Sequence, residues 1–175
     1  MKDLLDEKWM KWVALTTTIF AVCAAISSLK ASSFSTKIQL NTTLESNRWG
    51  HYQAKSIKQN MMKMERDMFA LSSVTGTSPE AKKYIDAQIK ECDGEIARYE
   101  IEKNEIRAEA EKIAEQEKGY KHRNGNFATG VMFLQIAIML SSVGALLRKK
   151  ASWISGIAVG VTGIFFMAHG FLAVF

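Results

Sequence analysis

Residues 12–29 read Trp-Val-Ala-Leu-Thr-Thr-Thr-Ile-Phe-Ala-Val-Cys-Ala-Ala-Ile-Ser-Ser-Leu and include no charged side chain. Residues 124–147 and 151–175 are equally free of Asp, Glu, Lys and Arg. A helix of about 20 apolar residues crosses the hydrocarbon core of a bilayer, so each of the three stretches is long enough to span it. The sequence therefore predicts an all-α membrane protein with three transmembrane helices.

Most of the 23 basic and 18 acidic side chains lie between the first two stretches, in residues 30–123. Acidic and basic residues nearly balance there, which argues against nucleic-acid binding despite the net charge of +5. A chain with one proline, two cysteines and 47% hydrophobic residues is not collagen-like, disordered or disulfide-stapled. The single proline also leaves room for long uninterrupted helices.

A heptad pattern predicts that the charged segment is a long antiparallel coiled-coil hairpin. Apolar residues recur there at alternating steps of four and three, the spacing of a coiled-coil seam. On the first arm the seam positions are Ile57, Met61, Met64, Met68 and Leu71. On the second arm they are Ile85, Ile89, Cys92, Ile96, Tyr99, Lys103, Ile106, Ala110, Ile113, Glu117 and Tyr120.

A short link between the arms predicts that they run side by side in opposite directions. Gly76 suits the end of the first helix, Ser78 the N-cap of the second, and Pro79 its first turn. The predicted organisation is 1–34 for the N-terminal segment and first span, 35–123 for the hairpin with its turn near 74–79, and 124–175 for the second and third spans with a basic loop at 148–150.

The basic loop predicts the topology, because short cytoplasmic loops are enriched in Lys and Arg. Arg148, Lys149 and Lys150 place this loop and the N-terminus in the cytoplasm, and the hairpin outside it. Lys118, Lys121 and Arg123 argue the other way, but a segment this long translocates largely regardless of its charge. We find no convincing cleavage site after the first span and expect it to be an uncleaved anchor.

Small residues recur on one face of the second and third spans, where they allow helices to approach closely. These residues are Gly156, Gly160, Gly163 and Gly170 in the third span, and Gly130, Ala137, Ser141 and Gly144 in the second. Such faces either pack the spans of one chain together or join subunits. We expect self-association, and hence a homo-oligomer.

No motif in the sequence indicates catalysis, and we expect neither an enzyme nor a bound metal or cofactor. Met61, Met64 and Met68 suggest a copper(I) site, because thioethers are soft ligands. Their place on the seam favours gap-filling in a helix interface instead. His51, His122 and His169 are scattered and show no ligand spacing.

Two stretches carry a family resemblance. The first is Asn47-Arg-Trp-Gly-His-Tyr-Gln-Ala-Lys-Ser-Ile-Lys58, and the second is Leu134-Gln-Ile-Ala-Ile-Met-Leu-Ser-Ser-Val-Gly-Ala-Leu146, followed by the glycine-rich last span. Together they resemble the bacterial membrane family known as domain of unknown function 4337, and the three-span plan is similar over nearly the whole chain. The resemblance implies a protein of the bacterial inner (cytoplasmic) membrane and no particular activity.

Trp49, Tyr52, Gln53 and Lys55 form a candidate contact patch on the first arm. These side chains either pack against the second arm or dock a neighbouring subunit or another membrane protein.

The expected function is that of a membrane scaffold or adaptor whose helical rods project from the bilayer. The partners expected are copies of the chain, the lipid bilayer and, as a further candidate, another membrane protein. The alternative is an oligomeric pore, or an accessory subunit of a membrane complex. A pore requires Gln135, Thr16–Thr18 or Ser141 on one stripe facing a lumen.

Overall fold

The computed structural model describes residues 2–74 and 78–172, with side chains from residue 9 onward. It contains three helices, α1 (Lys2–Val74), α2 (Pro79–Leu146) and α3 (Lys150–Leu172). The described residues include no strand, so the predicted all-α class is confirmed. All three helices are long and apolar enough to cross a membrane, as the sequence predicts.

Ser78 begins the second helix as predicted. The backbone N–H of Ala81 donates to Ser78 Oγ at 3.3 Å, and Lys82 N–H donates to the Ser78 carbonyl at 2.9 Å. Pro79 is the first residue of α2, where its missing N–H costs no hydrogen bond. The predicted cap at Gly76 lies outside the described residues.

The connection between α2 and α3 is short. Lys149 N–H donates to the Gly144 carbonyl at 3.0 Å, which satisfies one of the last carbonyls of α2. Arg148 has a φ of 51°, a left-handed conformation that often ends helices. The predicted basic loop therefore reverses the chain at Arg148 and Lys149, and Lys150 already belongs to α3.

The chain divides into two compact units, the apolar unit (Met1–Leu40 and Glu117–Phe175) and the charged unit (Asn41–Gln116). The sequence places the corresponding boundaries at 34/35 and 123/124. The apolar unit extends beyond them because Lys37 and Tyr120, which lie past the apolar stretches, contact each other at its edge.

The apolar unit has a small core and a largely exposed surface. Phe20 and Ala24 of α1 are buried against Leu134 and Ala137 of α2. In the most apolar part of each helix, 28% of the residues or fewer are buried within the chain. Such outward-facing apolar surface is what a lipid-embedded bundle presents to acyl chains.

The charged unit contains residues 41–74 of α1, the first arm, and residues 79–116 of α2, the second arm. Polar contacts join the arms along their length. These are Arg48–Glu109, Lys55–Glu102, Gln59–Glu100 and Arg66–Asp93. Along these four pairs, the residue number on the second arm decreases as the residue number on the first arm increases.

The predicted seam of the second arm is buried or half-buried at every position in this unit, from Ile85 to Ile113. The predicted seam of the first arm is wrong. Ile57, Met61, Met64, Met68 and Leu71 are 58 to 70% exposed. A different face of α1 meets the second arm, and it supplies the partners of Glu109, Glu102 and Asp93.

The face of α1 that meets the second arm carries five residues that are all buried or half-buried. They are Trp49, Tyr52, Lys55, Gln59 and Arg66.

Two isoleucines of the second arm test this packing. Ile106 is 7% exposed and Ile101 is 61% exposed. Ile106→Asp buries an unpaired carboxylate, so we expect the free energy of unfolding to fall by about 3–5 kcal/mol. Ile101→Asp should change it by about 0.5 kcal/mol or less. Thermal unfolding of the full chain in detergent, followed by circular dichroism, measures both, and equal losses would contradict the packing.

Candidate functional site: helix-packing and boundary surfaces

The glycine face of α3 brings its backbone directly against α2. A Cβ added at Gly163 would lie 2.8 Å from Leu134 Cγ and 3.1 Å from the Gly130 carbonyl oxygen. A Cβ added at Gly130 would lie 3.2 Å from the Gly163 carbonyl oxygen. Only glycine permits this approach on both helices, which replaces side-chain contacts with close backbone packing.

Gly156 and Gly160 form two further notches in the same face. A Cβ at Gly156 would lie 2.6 Å from Ser141 Oγ and 3.0 Å from the Ala137 carbonyl oxygen. A Cβ at Gly160 would overlap the ring of Phe20, at 2.3 Å from its nearest atom. Gly160 therefore forms a socket for an aromatic side chain of α1.

The other small residues predicted as packing positions also pack against residues of the same chain. Gly170 faces the ring of Phe127, and Gly144 faces the backbone of Trp153. Thus all eight residues predicted as packing or oligomerisation positions are buried in the apolar unit. Their packing is intrachain, and self-association through them stays a prediction.

One end of the apolar unit is marked by tryptophans. Trp153 Nε1 donates to Thr16 Oγ1 at 3.1 Å, and the rings of Trp9 and Trp153 lie 6.0 Å apart. Trp12, which follows Trp9 by three residues, is 60% exposed. Indole rings favour the headgroup region, so this cluster is of the kind expected at one boundary of a membrane-spanning bundle.

The other end is marked by cations lying over aromatic rings. Lys30 Nζ is 5.7 Å from the ring centre of Phe171, and the guanidinium of Arg123 is 5.9 Å from that of Phe34. Basic and aromatic side chains are common where membrane helices leave the hydrocarbon core. This cluster draws on all three helices, so spacing along the chain does not reveal it.

His122 and His169, which are unrelated in sequence, meet at this same end. Their ring centres are 6.3 Å apart, and His169 stacks on Phe165. Both side chains are exposed, and within the described residues no group of three or more His, Cys, Asp or Glu is placed to hold a metal ion.

Of the residues predicted to line a pore, Ser141 is enclosed within the chain and is not on a surface. Gln135 is exposed, whereas Ser141 is completely buried. Thr17 and Thr18 donate to carbonyls of their own helix, at 2.8 Å to Val13 and 2.8 Å to Ala14. Their polar groups are therefore satisfied locally.

The predicted contact patch packs partly within the charged unit. The rings of Trp49 and Tyr52 meet edge to face at 5.6 Å, and Lys103 of the second arm lies over Tyr52 at 5.4 Å. Lys55 pairs with Glu102, while Gln53 is exposed. This geometry favours the first of the two predicted roles for Tyr52 and Lys55.

The structure contains a buried polar layer that the sequence analysis did not predict. Its centre is Gln59, which is 3% exposed. Gln59 Nε2 donates to Glu100 at 2.7 Å and to the Ile96 carbonyl at 3.1 Å. Its Oε1 accepts a hydrogen bond from Lys103 Nζ at 3.0 Å. The available signal was Lys103 itself, since a lysine at a seam position requires a buried polar partner.

Two acidic side chains of the second arm accept hydrogen bonds that favour their ionised form. Hydrogen bonds from Gln59, and then from Lys103, lower the pKa of Glu100. The hydrogen bond from Lys55 likewise lowers the pKa of Glu102. Burial raises the pKa of the Cys92 thiol, so this thiol is a packing group and not an activated nucleophile.

The geometry defines a helical protein with three membrane-length helices and a charged two-helix unit. The chain belongs to the family described as Domain of unknown function (DUF4337), whose sequence pattern matches residues 9–173. The family predicted from the two sequence stretches is thus confirmed. Comparison with curated proteins and with solved structures found no match.

The glycine packing predicts opposite effects at two positions of the apolar unit. Gly163→Ala forces α2 and α3 apart, and we expect a loss of about 1–3 kcal/mol. Gly125→Ala, where nothing lies within 4 Å of the added Cβ, should gain about 0.5–1 kcal/mol from helix propensity. Thermal unfolding in detergent compares them, and a stabilised Gly163→Ala would exclude the close approach.

The polar layer predicts acid sensitivity of the charged unit. Because the pKa of Glu100 lies lower in the folded chain than its ordinary value of 4.5, its stabilisation is present above pH 4.5 and is lost as the pH falls through the folded value. The Tm of Glu100→Gln should therefore fall less than that of the unsubstituted chain when the pH is lowered below 4.5. Glu105→Gln, an exposed change on the same arm, is the control. A wild-type pH dependence in Glu100→Gln would contradict the assignment.

Proposed function

We propose that the protein is an integral scaffold or adaptor of the bacterial inner membrane that presents a charged helical hairpin for protein contacts. One observation carries this proposal: the apolar unit uses its small-residue faces to pack its own three helices, while the charged unit offers long helical surfaces. With those faces filled by its own helices, the apolar unit is assigned to lipid contact in this proposal. The charged unit is then the part able to bind partners.

The hairpin is proposed to be an antiparallel coiled coil. Support comes from the arm-to-arm pairs, in which Arg48 meets Glu109 and Arg66 meets Asp93. The 4-3 spacing of the second arm and the helix start at Pro79 add further support. The Gln59 layer fixes the register, because sliding the arms would bury Gln59 and Lys103 without partners.

The proposed topology places the N-terminus and the 148–150 loop in the cytoplasm and the hairpin outside it. The positive charge of Arg148, Lys149 and Lys150 supports this orientation. The tryptophan end of the apolar unit, which includes Trp153 close to this loop, is then the cytoplasmic boundary.

Self-association was predicted through the glycine faces, and another membrane protein is a further candidate partner. Because helices of the same chain already fill those faces, we look for the surface that joins copies in the charged unit. An oligomeric pore gains no support from Ser141, which is buried within the chain, although Gln135 is exposed.

Single substitutions to cysteine test both membrane insertion and topology. Lys83 and Lys149 are exposed, and the native Cys92 is buried. In spheroplasts a membrane-impermeant maleimide should label Lys83→Cys at once, and Lys149→Cys only after the membrane is permeabilised. The unsubstituted chain measures the background. Labelling of Lys149→Cys alone in intact spheroplasts would reverse the topology, and recovery of the chain in the soluble fraction would refute the membrane assignment.

A further inference from the structure

The first arm carries an apolar stripe that its own chain leaves open. We name as the methionine stripe the residues Ile57, Met61, Met64, Met68 and Leu71. They are exposed by 61, 58, 67, 70 and 70%, respectively. Exposed apolar residues are normal singly, but a continuous row of five on one helix face marks an interaction surface.

The second arm cannot cover this stripe, because it occupies the opposite face of the same helix. Gln59 and Arg66 contact Glu100 and Asp93 of the second arm. In the heptad frame that puts the stripe at positions a and d, Gln59 and Arg66 are both at position f. Position f points directly away from the a/d seam.

We propose that the methionine stripe binds the same stripe of a second copy of the chain, forming a parallel two-stranded coiled coil. The inference rests on the proposed membrane scaffold, since insertion with one topology makes the first arms of both copies run in the same direction. A two-fold axis along the membrane normal then brings equivalent residues to the same height. The 4-3 spacing selects another helix with the same spacing as the occupant.

The side chains flanking the stripe suit this pairing. In a parallel pair, position g of one helix faces position e of the other, five residues further along. Gln53 then faces Lys58 of the second copy, and Asn60 faces Glu65. Asp67 faces Ser72 in the same way. Each pair combines a hydrogen-bond donor with an acceptor, and none joins like charges.

The stripe spans only about two heptads, which is marginal for two free helices in water. The membrane compensates, since two tethered copies meet at a high effective concentration. Methionine also suits the role, because its flexible thioether fills an imperfectly matched interface. The pairing would place two hairpins side by side, each keeping its own internal packing.

Disulfide cross-linking in native membranes tests the pairing. In a parallel coiled coil Met64 meets Met64 of the second copy within reach of a disulfide. Met64→Cys should therefore give, under mild oxidation, a product of twice the 19.6 kDa chain mass. Ala70→Cys, also exposed on the first arm but away from the stripe, should give at least about tenfold less.

A charged substitution on the methionine stripe provides the second part of the test. Adding Met61→Lys to the Met64→Cys chain should lower the dimer yield at least about tenfold, because pairing would bury two ammonium groups. Its circular dichroism should not change, since Met61 is exposed in the single chain.

The outcomes separate this inference from the proposed function. A chain that stays in the membrane fraction, with Met64→Cys yielding no more dimer than Ala70→Cys, overturns the pairing and leaves the scaffold proposal standing. Cross-linking to a protein of another mass also overturns it, since the stripe would then belong to a different partner. Cross-linking between Met61→Cys and Met64→Cys, but not between two Met64→Cys chains, would overturn the parallel arrangement.

Discussion

The structure depends first on the lack of hydrogen-bond partners inside a bilayer. Backbone N–H and C=O groups in lipid must bond within their own segment, and the three uncharged stretches meet this requirement because nearly all of their described residues are helical. Helix association there gains nothing from hiding apolar surface, because lipid is equally apolar. Cohesion comes instead from close backbone contact at Gly130 and Gly163 and from interhelical hydrogen bonds such as that from Trp153 to Thr16.

Water imposes different rules on the charged unit. Here the two arms combine an apolar seam on the second arm with polar partners on the first. Gln59, Lys103 and Glu100 form a layer in which the buried amide has both its donor and its acceptor satisfied. Such a layer adds little to stability compared with apolar packing, but it penalises every other register.

The two faces of α1 in the charged unit have different surroundings. The polar face turns inward to the second arm, and the more apolar methionine stripe turns outward. A helix that serves only to fold the chain would be expected to bury its apolar face. The inverted arrangement is understandable if the outward face is also covered, which is the role proposed here for a second copy.

Local signals, namely missing charge, capping chemistry and heptad spacing, were enough to predict the helical class, the three membrane-length segments, the start of α2 at Ser78 and Pro79, and the buried positions of the second arm. Two short stretches of sequence were enough to predict the family. The contacts between helices are known from the three-dimensional arrangement alone. They include the face of α1 that meets α2, the notch at Gly160 that Phe20 fills, and the rings of other helices that Lys30 and Arg123 contact. The physical reason is that spacing along a helix shows which residues share a face, whereas the partner of that face depends on charges and shapes distant in the chain.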